Sequence, residues 1–231
     1  MNVLSSFVTE NTVAALALLC IPVSGVFLIL QKDRLKLDKW WKLVIAPIAY
    51  VVLGLLSLAV FSILHDIRTF PEWHIHHQGL MIVFPLLFPL IAKLLKTDWL
   101  EVSDALAVSI PGIIAVLRIF CLVRGCCFGR PLFGSAILWP VRELAMALNF
   151  ACCIVFLLWN NRSHMKGVIL PAYLVFYGIY RTVEIMLRSE YYSLTNAEDY
   201  VFSILSLLAG AFCLLWLDEK NKRKKGTHRY G

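Results

Sequence analysis

Long runs of apolar residues, separated by short polar segments, constrain the fold of this chain more than any other feature. A run of about 20 apolar residues is long enough to cross a bilayer as a helix. Of the 231 residues, 60% are hydrophobic and only 16% are charged, and the mean hydropathy is +0.75. A soluble domain does not need so much apolar surface, so the sequence predicts an all-α integral membrane protein. The predicted spans are residues 12–30, 43–64, 78–95, 104–120, 142–159, 167–187 and 200–217.

The seven predicted spans form one helix bundle, a single transmembrane domain over residues 1–231. No linker, internal repeat or low-complexity run divides the chain, and the polar segments are too short for a sizeable external domain. The third span is the least regular, because Pro85 and Pro89 interrupt it.

Lysine and arginine are distributed unevenly between the two sets of alternating loops. One set holds 15 of the 22 Lys and Arg residues, and the other set holds seven, all of them arginine. Positive charge in short loops stays on the cytoplasmic side, which predicts an outside N-terminus and a cytoplasmic C-terminus. The basic set consists of Gln31–Lys42, Lys93–Glu101, Asn160–Lys166 and the tail from Asp218.

The seven arginines on the predicted outer side run against this topology rule and therefore indicate a site. A guanidinium stays protonated, and its planar fork suits phosphate, the anion of lipid headgroups. We expect an anion site at the outer leaflet; scattered ion pairs are the alternative. The arginines are Arg68, Arg118, Arg124, Arg130, Arg142, Arg181 and Arg188.

The segment Arg118–Pro131, Arg-Ile-Phe-Cys-Leu-Val-Arg-Gly-Cys-Cys-Phe-Gly-Arg-Pro, is the densest part of this pattern. Its glycines allow a tight turn, so we expect a phosphate-binding loop where membrane meets water. An interfacial anchor without chemistry is the alternative interpretation. The candidate residues are Arg118, Arg124, Gly125, Cys126, Cys127, Gly129 and Arg130.

The vicinal pair Cys126 and Cys127 allows three interpretations. The thiols can be reactive and bind a thiol-reactive acceptor beside the arginines. They can instead be small residues that permit close packing at a turn. They can also form a disulfide with another outer cysteine, since that compartment is oxidising.

Two other clusters are predicted on the outer side. His77 begins the third span and is a candidate general base or a residue that orients the substrate. Interfacial packing beside Trp73 is the interpretation without chemistry. A metal site of His74, His76 and His77 with Cys126 and Cys127 is the alternative, although the spacing matches no common metal-binding pattern.

The sixth span carries Tyr177, Arg181, Glu184 and Arg188 at three- and four-residue steps, so these side chains share one helix face. Charged groups inside a span face a partner or a cavity, and mutual neutralisation of Arg181 and Glu184 is the alternative. Glu143 is a second carboxylate within reach. Asp104, at the inner end of the fourth span, is expected to be a helix cap.

With these motifs in order, the chain resembles the bacterial prolipoprotein diacylglyceryl transferases between about Thr69 and Glu190. His-Gln-Gly-Leu at 77–80 is similar to that family's His-Gly-Gly-Leu. Arg-Ile at 118–119 and Gly-Arg-Pro at 129–131 match the two ends of its signature, and Tyr-Gly-Ile-Tyr-Arg at 177–181 resembles its late Tyr-Gly-x-x-Arg. Inside the signature Cys121, Arg124 and Cys126 replace asparagine, asparagine and glutamate, and Glu184 follows Arg181 by three residues rather than four.

The resemblance implies a transferase of the bacterial cytoplasmic (inner) membrane whose active site faces the outer leaflet. It implies that phosphatidylglycerol donates a diacylglyceryl group to the thiol of a lipobox cysteine in a prolipoprotein, and that glycerol phosphate leaves. No metal or other cofactor is required, and no nucleic acid partner is expected. The implied catalytic residues are His77, Arg118, Arg181 and Glu184. The implied substrate-binding residues are Tyr177, Arg124, Gly125, Cys126, Cys127, Gly129, Arg130, Glu143 and Arg188.

Two other functions stay open from the sequence. The substituted signature is compatible with a diverged relative that transfers a lipid-derived group to another acceptor. The same bundle is also compatible with a non-catalytic lipid-binding or transport protein.

Overall fold

A computed structural model of the chain describes residues 12–65, 85–124, 127–162, 166–188 and 197–227. Apart from two isolated β-bridges, the regular structure of these residues is helical, with seven α-helices and one 3₁₀ turn, Leu132–Gly134. The α-helices are α1 Thr12–Leu30, α2 Trp40–His65, α3 Phe88–Leu95, α4 Trp99–Arg124, α5 Val141–Arg162, α6 Ile169–Leu187 and α7 Ala197–Thr227.

Four of the described helices are long and apolar enough to cross a membrane. The qualifying segments are Trp40–Ser57 in α2, Trp99–Ile119 in α4, Val141–Arg162 in α5 and Asp199–Lys220 in α7. The prediction of an all-helical protein is therefore confirmed for the described residues, four of whose helices have the length and composition of membrane spans. The number of seven spans and the side of each terminus stay predictions.

The expected third span coincides only in part with a described helix. Within residues 85–95 the structure has α3, which begins with Pro89 in its first turn, where a proline is tolerated because that N–H has no helical partner. The helix ends at Leu95, and the left-handed backbone of the next residue, Lys96, lets the N–H of Thr97 donate to the carbonyl oxygen of Ala92 at 3.0 Å. Residues 78–84 lie outside the described part.

Helix α4 lies at the centre of the described bundle. It packs against α1, α3, α5 and α6, and 78% of its segment Trp99–Ile119 is buried, whereas only 11% of Asp199–Lys220 in α7 is. The outward faces of the other helices carry large apolar side chains such as Ile48, Leu148 and Phe212. An apolar outer surface around a packed core is what a lipid environment requires.

Helices α6 and α7 make the most extensive contact of the described helix pairs, and two glycines lie within it. A Cβ placed on Gly178 would lie 2.6 Å from the carbonyl oxygen of Ser203, and one on Gly210 would lie 2.6 Å from that of Pro171. Small residues at a crossing allow helix backbones to touch, which is a common packing mode within membranes. This contact determines where the N-terminal end of α7 lies relative to α6.

Three of the basic loops meet at one end of the bundle. Arg34 donates a hydrogen bond to the Asn160 side chain, Thr97 Oγ1 donates to the carbonyl oxygen of Leu35, and Lys166 pairs with Glu101 at 2.6 Å. The loops Gln31–Lys42, Lys93–Glu101 and Asn160–Lys166 therefore share this end, as the sequence predicts.

Asp104 caps a helix, although not its own. It is fully buried, and its carboxylate accepts the backbone N–H groups of Gly167 and Ile169 at 2.6 and 2.8 Å. Gly167 lies just before α6 and Ile169 is its first residue, so neither N–H has a partner within the helix, and a carboxylate from the neighbouring α4 satisfies both.

Candidate active site

The centre of the candidate site is the carboxylate of Glu184, which several arginines share. Arg118 Nη2 lies 2.5 Å from Glu184 Oε1, and Arg181 Nη1 lies 3.0 Å from Oε2. Arg188 Nη1 is 3.9 Å from Oε1. The Glu184 side chain is only 2% exposed, so these charges interact away from water, where electrostatic interactions are stronger.

Helix α6 brings three members of this cluster together by its own periodicity. Arg181, Glu184 and Arg188 are three and four residues apart and lie on one face, as the sequence predicts. Arg118 reaches the same carboxylate from α4, near the end of that helix. The predicted alternative, mutual neutralisation of Arg181 and Glu184, describes only one of these contacts.

A second carboxylate, Asp199 at the start of α7, holds the other side of Arg181. Asp199 Oδ2 is 3.1 Å from Arg181 Nη2, and this contact is both a hydrogen bond and an ion pair. Among the residues that the structure describes, the cluster as defined by these contacts contains three guanidinium groups and two carboxylates, a formal excess of one positive charge. A buried excess positive charge on pre-oriented donors favours an anion.

Tyr180 also contacts Arg118 and belongs to an aromatic row on α6. Its hydroxyl accepts a hydrogen bond from Arg118 Nη2 at 3.2 Å, and its ring stacks on Phe176 with centroids 5.8 Å apart. Tyr177 is buried beside it, with ring centroids 6.4 Å apart. The Tyr180 ring, packed between Phe176 and Tyr177, therefore positions the hydroxyl that contacts Arg118.

The loop after α4 is attached to the end of α6 through backbone groups. The N–H of Arg130 donates to the carbonyl oxygen of Leu187 at 2.8 Å, and Gly129 and Arg188 form an isolated β-bridge. Arg130 Nε donates to the Arg188 carbonyl oxygen at 3.2 Å. The predicted loop therefore lies directly against the arginine–glutamate cluster.

Gly129 is required by a close approach within this loop. A Cβ at position 129 would overlap the carbonyl oxygen of Trp139, whose own N–H donates to the Arg130 carbonyl oxygen at 2.9 Å. Only glycine lets the two segments of the loop lie so close together.

Cys127 contacts Arg188, and a second cysteine, Cys121, lies next to Cys127. Arg188 Nη2 is 3.0 Å from Cys127 Sγ, and Cys127 Sγ is 3.9 Å from Cys121 Sγ. Cys121 lies on α4 one turn after Arg118, and both cysteines are half-buried.

An apolar groove between α5 and α6 leads to the cluster. Its volume is about 250 Å³, and Tyr180 and Glu184 are the polar side chains in its wall. Several of its other residues, including Leu144, Leu148, Ile179 and Val183, are exposed on the outside of the bundle. The groove therefore connects the apolar outer surface with the charged site.

The structure brings together most of the described candidate residues. Arg118, Arg181, Glu184 and Arg188 form the charged cluster, and Cys127, Gly129, Arg130 and Tyr177 surround it.

Other candidate residues lie elsewhere. Glu143 points away, with its side chain 47% exposed and paired with Arg142 at 3.5 Å, because its position in the first turn of α5 faces outward. His77, Gly125 and Cys126 lie outside the described residues, as does the side chain of Arg124, although Arg124 ends α4.

Three neighbours of the site were not predicted as site residues. Asp199 and Tyr180 contact the arginines directly, and Cys121 approaches Cys127. The sequence signal for Asp199 is a carboxylate, next to Glu198, directly before an apolar span. Tyr180 lies within the motif at 177–181 and is one turn from Glu184.

Among the residues that the structure describes, no group of three or more His, Cys, Asp or Glu side chains is arranged to hold a metal ion. The predicted metal alternative requires His74, His76 and His77, which lie outside those residues.

Comparison with known proteins gives two matches. A sequence model of the prolipoprotein diacylglyceryl transferase family matches residues 17–216. The phosphatidylglycerol–prolipoprotein diacylglyceryl transferase 2 of Clostridium perfringens (strain 13 / Type A) is 29% identical over 155 residues, which cover 58% of this chain and 58% of that protein. The matched region thus spans less than two thirds of this relative's length. No solved structure matches the chain with significance.

Proposed function

Because the chain belongs to the prolipoprotein diacylglyceryl transferase family, we propose that it transfers a diacylglyceryl group from phosphatidylglycerol to a cysteine thiol of a prolipoprotein. The observation that carries this proposal is the buried cluster in which Arg118, Arg181 and Arg188 converge on the carboxylate of Glu184. Such a cluster suits a substrate whose phosphate leaves as an anion.

Arg118 and Arg181 are the residues that stabilise the leaving phosphate in this proposal. Each guanidinium is fixed by at least two partners, Arg118 by Glu184 and Tyr180 and Arg181 by Glu184 and Asp199. Donors that are already oriented need little reorganisation when negative charge develops on the departing oxygen. Glu184 acts as the positioning residue that holds the guanidinium groups of Arg118 and Arg181.

The reaction forms one bond and breaks one bond at the same carbon. The acceptor sulfur attacks the diacylglyceryl carbon that carries the phosphate oxygen, a carbon–sulfur bond forms, and the carbon–oxygen bond breaks. Glycerol phosphate departs with the bonding electron pair. The thiol proton must be removed for sulfur to attack, and His77 is our candidate for its acceptor.

The groove between α5 and α6 supports a lipid donor. Its apolar wall fits acyl chains, and it opens on the outer surface of the bundle, so a lipid can enter sideways from the bilayer. A chain lying along the groove places the attached headgroup next to Glu184 and the arginines that surround it.

We also propose seven spans with an outside N-terminus and a site that faces the outer leaflet of the bacterial cytoplasmic membrane. The lysine-bearing loops meet at the end of the bundle where α6 begins, whereas the arginine cluster lies where α6 ends. Under the positive-inside rule the first end is cytoplasmic, which puts the cluster on the outer side.

The test is a product assay on the full-length protein in nanodiscs that contain phosphatidylglycerol. A lipobox peptide is added, and mass spectrometry is used to detect the gain of one diacylglyceryl group. We expect transfer by the native protein and loss of transfer in Arg118→Ala. Arg162→Ala, an exposed arginine at the opposite end of the bundle, is the matched control and keeps activity.

Each alternative function gives a different result. Consumption of phosphatidylglycerol without modified peptide would indicate another acceptor. Binding of phosphatidylglycerol that weakens in Arg118→Ala, with no consumption in any lipid mixture, would indicate a non-catalytic lipid-binding protein. Either result contradicts the proposed reaction.

A further inference from the structure

Cys121 and Cys127 are the thiol pair in the described structure that adjoins the arginine cluster. Their sulfurs are 3.9 Å apart, although Cys121 belongs to α4 and Cys127 follows it in the loop after the helix. A disulfide bond is about 2.05 Å long, so the sulfurs need to approach by about 2 Å. Rotation of the side chains about χ1 supplies displacements of this size without moving the helix.

Arg188 gives the pair a specific electrostatic environment. Its Nη2 lies 3.0 Å from Cys127 Sγ, and a guanidinium at this distance stabilises negative charge on sulfur. The thiolate is the form that attacks a disulfide, so Cys127 is the attacking residue and Cys121 the resolving one.

The backbone conformation of Cys127 also indicates a functional role. Its φ of +62° lies in the left-handed region, which non-glycine residues rarely occupy. A residue held there costs about 1–3 kcal/mol, and such residues cluster at functional sites. The strain places Cys127 Sγ between Arg188 and Cys121.

We infer that Cys121 and Cys127 form a reversible intramolecular disulfide that removes Cys127 from Arg188 and so lowers the activity of the site. The oxidant is a small-molecule or protein disulfide on the outer side of the membrane. Cys127 attacks this disulfide and releases one thiolate; Cys121 then displaces the second thiolate. The two protons lost by the cysteines are taken up by the two released thiolates, and the oxidant is reduced to thiols.

The disulfide acts on the site through Arg188. This arginine also pairs with Glu184 and forms the β-bridge with Gly129. The disulfide moves Cys127 Sγ away from Arg188 Nη2 and links α4 to the loop that follows it. Both changes shift the Arg188 guanidinium and the loop. This consequence for activity rests on the proposed function, whereas formation of the disulfide does not.

The sequence makes the disulfide directly readable by mass spectrometry. Trypsin cleaves after Arg118, Arg124 and Arg142 but not between Arg130 and Pro131. Cys121 is therefore released in peptide 119–124, and Cys127 in peptide 125–142. A disulfide between them joins the two peptides with the loss of two hydrogens.

The experiment uses the full-length protein in phosphatidylglycerol nanodiscs, equilibrated with oxidised or reduced glutathione, alkylated and digested without reduction. We expect the joined peptides in the oxidised sample and two alkylated peptides in the reduced one. Because this comparison needs no substitution, it does not depend on whether a variant folds. Alkylated Cys121 in the oxidised sample would overturn the inference.

Substitutions identify the partner of Cys121, since Cys126 lies in the same tryptic peptide as Cys127. The cross-link is expected to persist in Cys126→Ser and to disappear in Cys127→Ser. The opposite pattern, or glutathione on Cys127 without a cross-link to Cys121, would overturn the assignment.

The activity of the same samples tests the second half of the inference. Oxidation is expected to lower diacylglyceryl transfer by about tenfold or more, because displacing a catalytic group by about 1 Å has effects of this size or larger. Reduced glutathione restores activity, and the activity of Cys127→Ser, which lacks the attacking thiol, is expected not to change on oxidation. A cross-linked protein with unchanged transfer contradicts the regulatory role. A cross-linked protein that shows no transfer even when reduced contradicts the proposed function instead.

Discussion

Arg181 on α6 and Asp199 on α7 form a largely buried ion pair of 3.1 Å where these two helices cross at Gly178 and Gly210. The other terminal nitrogen of this guanidinium, Nη1, contacts Glu184, so Arg181 is held between carboxylates of α6 and α7. This pair connects the packing of the bundle to the geometry of the candidate active site.

Asp199→Asn is expected to lower kcat/KM for diacylglyceryl transfer. A hydrogen bond to a charged group contributes about 1.5–3 kcal/mol, which corresponds to a loss of about tenfold or more if it positions Arg181 for the transition state. Asp218→Asn, an exposed carboxylate on the same helix that pairs with Lys222, is the control. Equal activities of the two variants would show that Asp199 has no positioning role.

Glu184→Gln is expected to abolish transfer and to destabilise the protein. Arg118 and Arg181 would lose the charge that compensates their burial, and removing one partner of a buried ion pair costs about 3–5 kcal/mol. Activity in nanodiscs and thermal unfolding in detergent are the measurements. Glu143→Gln is expected to change neither, because Glu143 is exposed beside Arg142. Loss of transfer in Glu143→Gln would restore its predicted substrate-binding role.

Gly178→Ala is expected to weaken the packing of α6 against α7. The added Cβ would lie 2.6–2.8 Å from backbone and side-chain atoms of Ser203 and Leu207, and overpacking costs about 1–3 kcal/mol. Thermal unfolding measures the effect. Gly25→Ala in α1 is the matched control, since its Cβ would meet Pro47 at an ordinary 3.7 Å. A melting temperature for Gly178→Ala as high as that of Gly25→Ala would contradict the close crossing.

Gly129→Ala is expected to reduce activity with little change in bundle stability. The new Cβ overlaps the Trp139 carbonyl oxygen, so the loop must move away from Arg188, whereas the helix contacts are untouched. A displacement of about 1 Å at a catalytic site can reduce the rate about 100-fold. Transfer assays and thermal unfolding are compared on one preparation. A parallel fall in both quantities would mean that the loop supports the bundle instead.

The α6 part of the site is predictable from the sequence because it is local. The periodicity of a helix places Tyr177, Arg181, Glu184 and Arg188 on one face whatever the helix packs against. The same reasoning leaves the partners undetermined: it placed Glu143 within reach of the site, whereas in the structure Glu143 is exposed and pairs with Arg142.

Contacts between distant segments depend on how the helices cross. Asp104 is predictable as a cap from its residue type, but the helix that it caps is α6, which only the packing of α4 against α6 determines. Asp199 reaches Arg181 because Gly178 and Gly210 let two backbones touch, and Cys121 meets Cys127 because the loop folds back onto α6.

The sequence by itself determined that this chain is helical and apolar, that its lysines and its unexpected arginines lie in different loops, and that its motifs belong to one transferase family. These properties follow from composition, local periodicity and residue order. Only the tertiary structure decided which carboxylates hold the arginines, which face of α5 is turned away from them and which thiols are neighbours. Those relationships depend on crossing angles and close approaches between segments far apart in the chain, which no local pattern encodes.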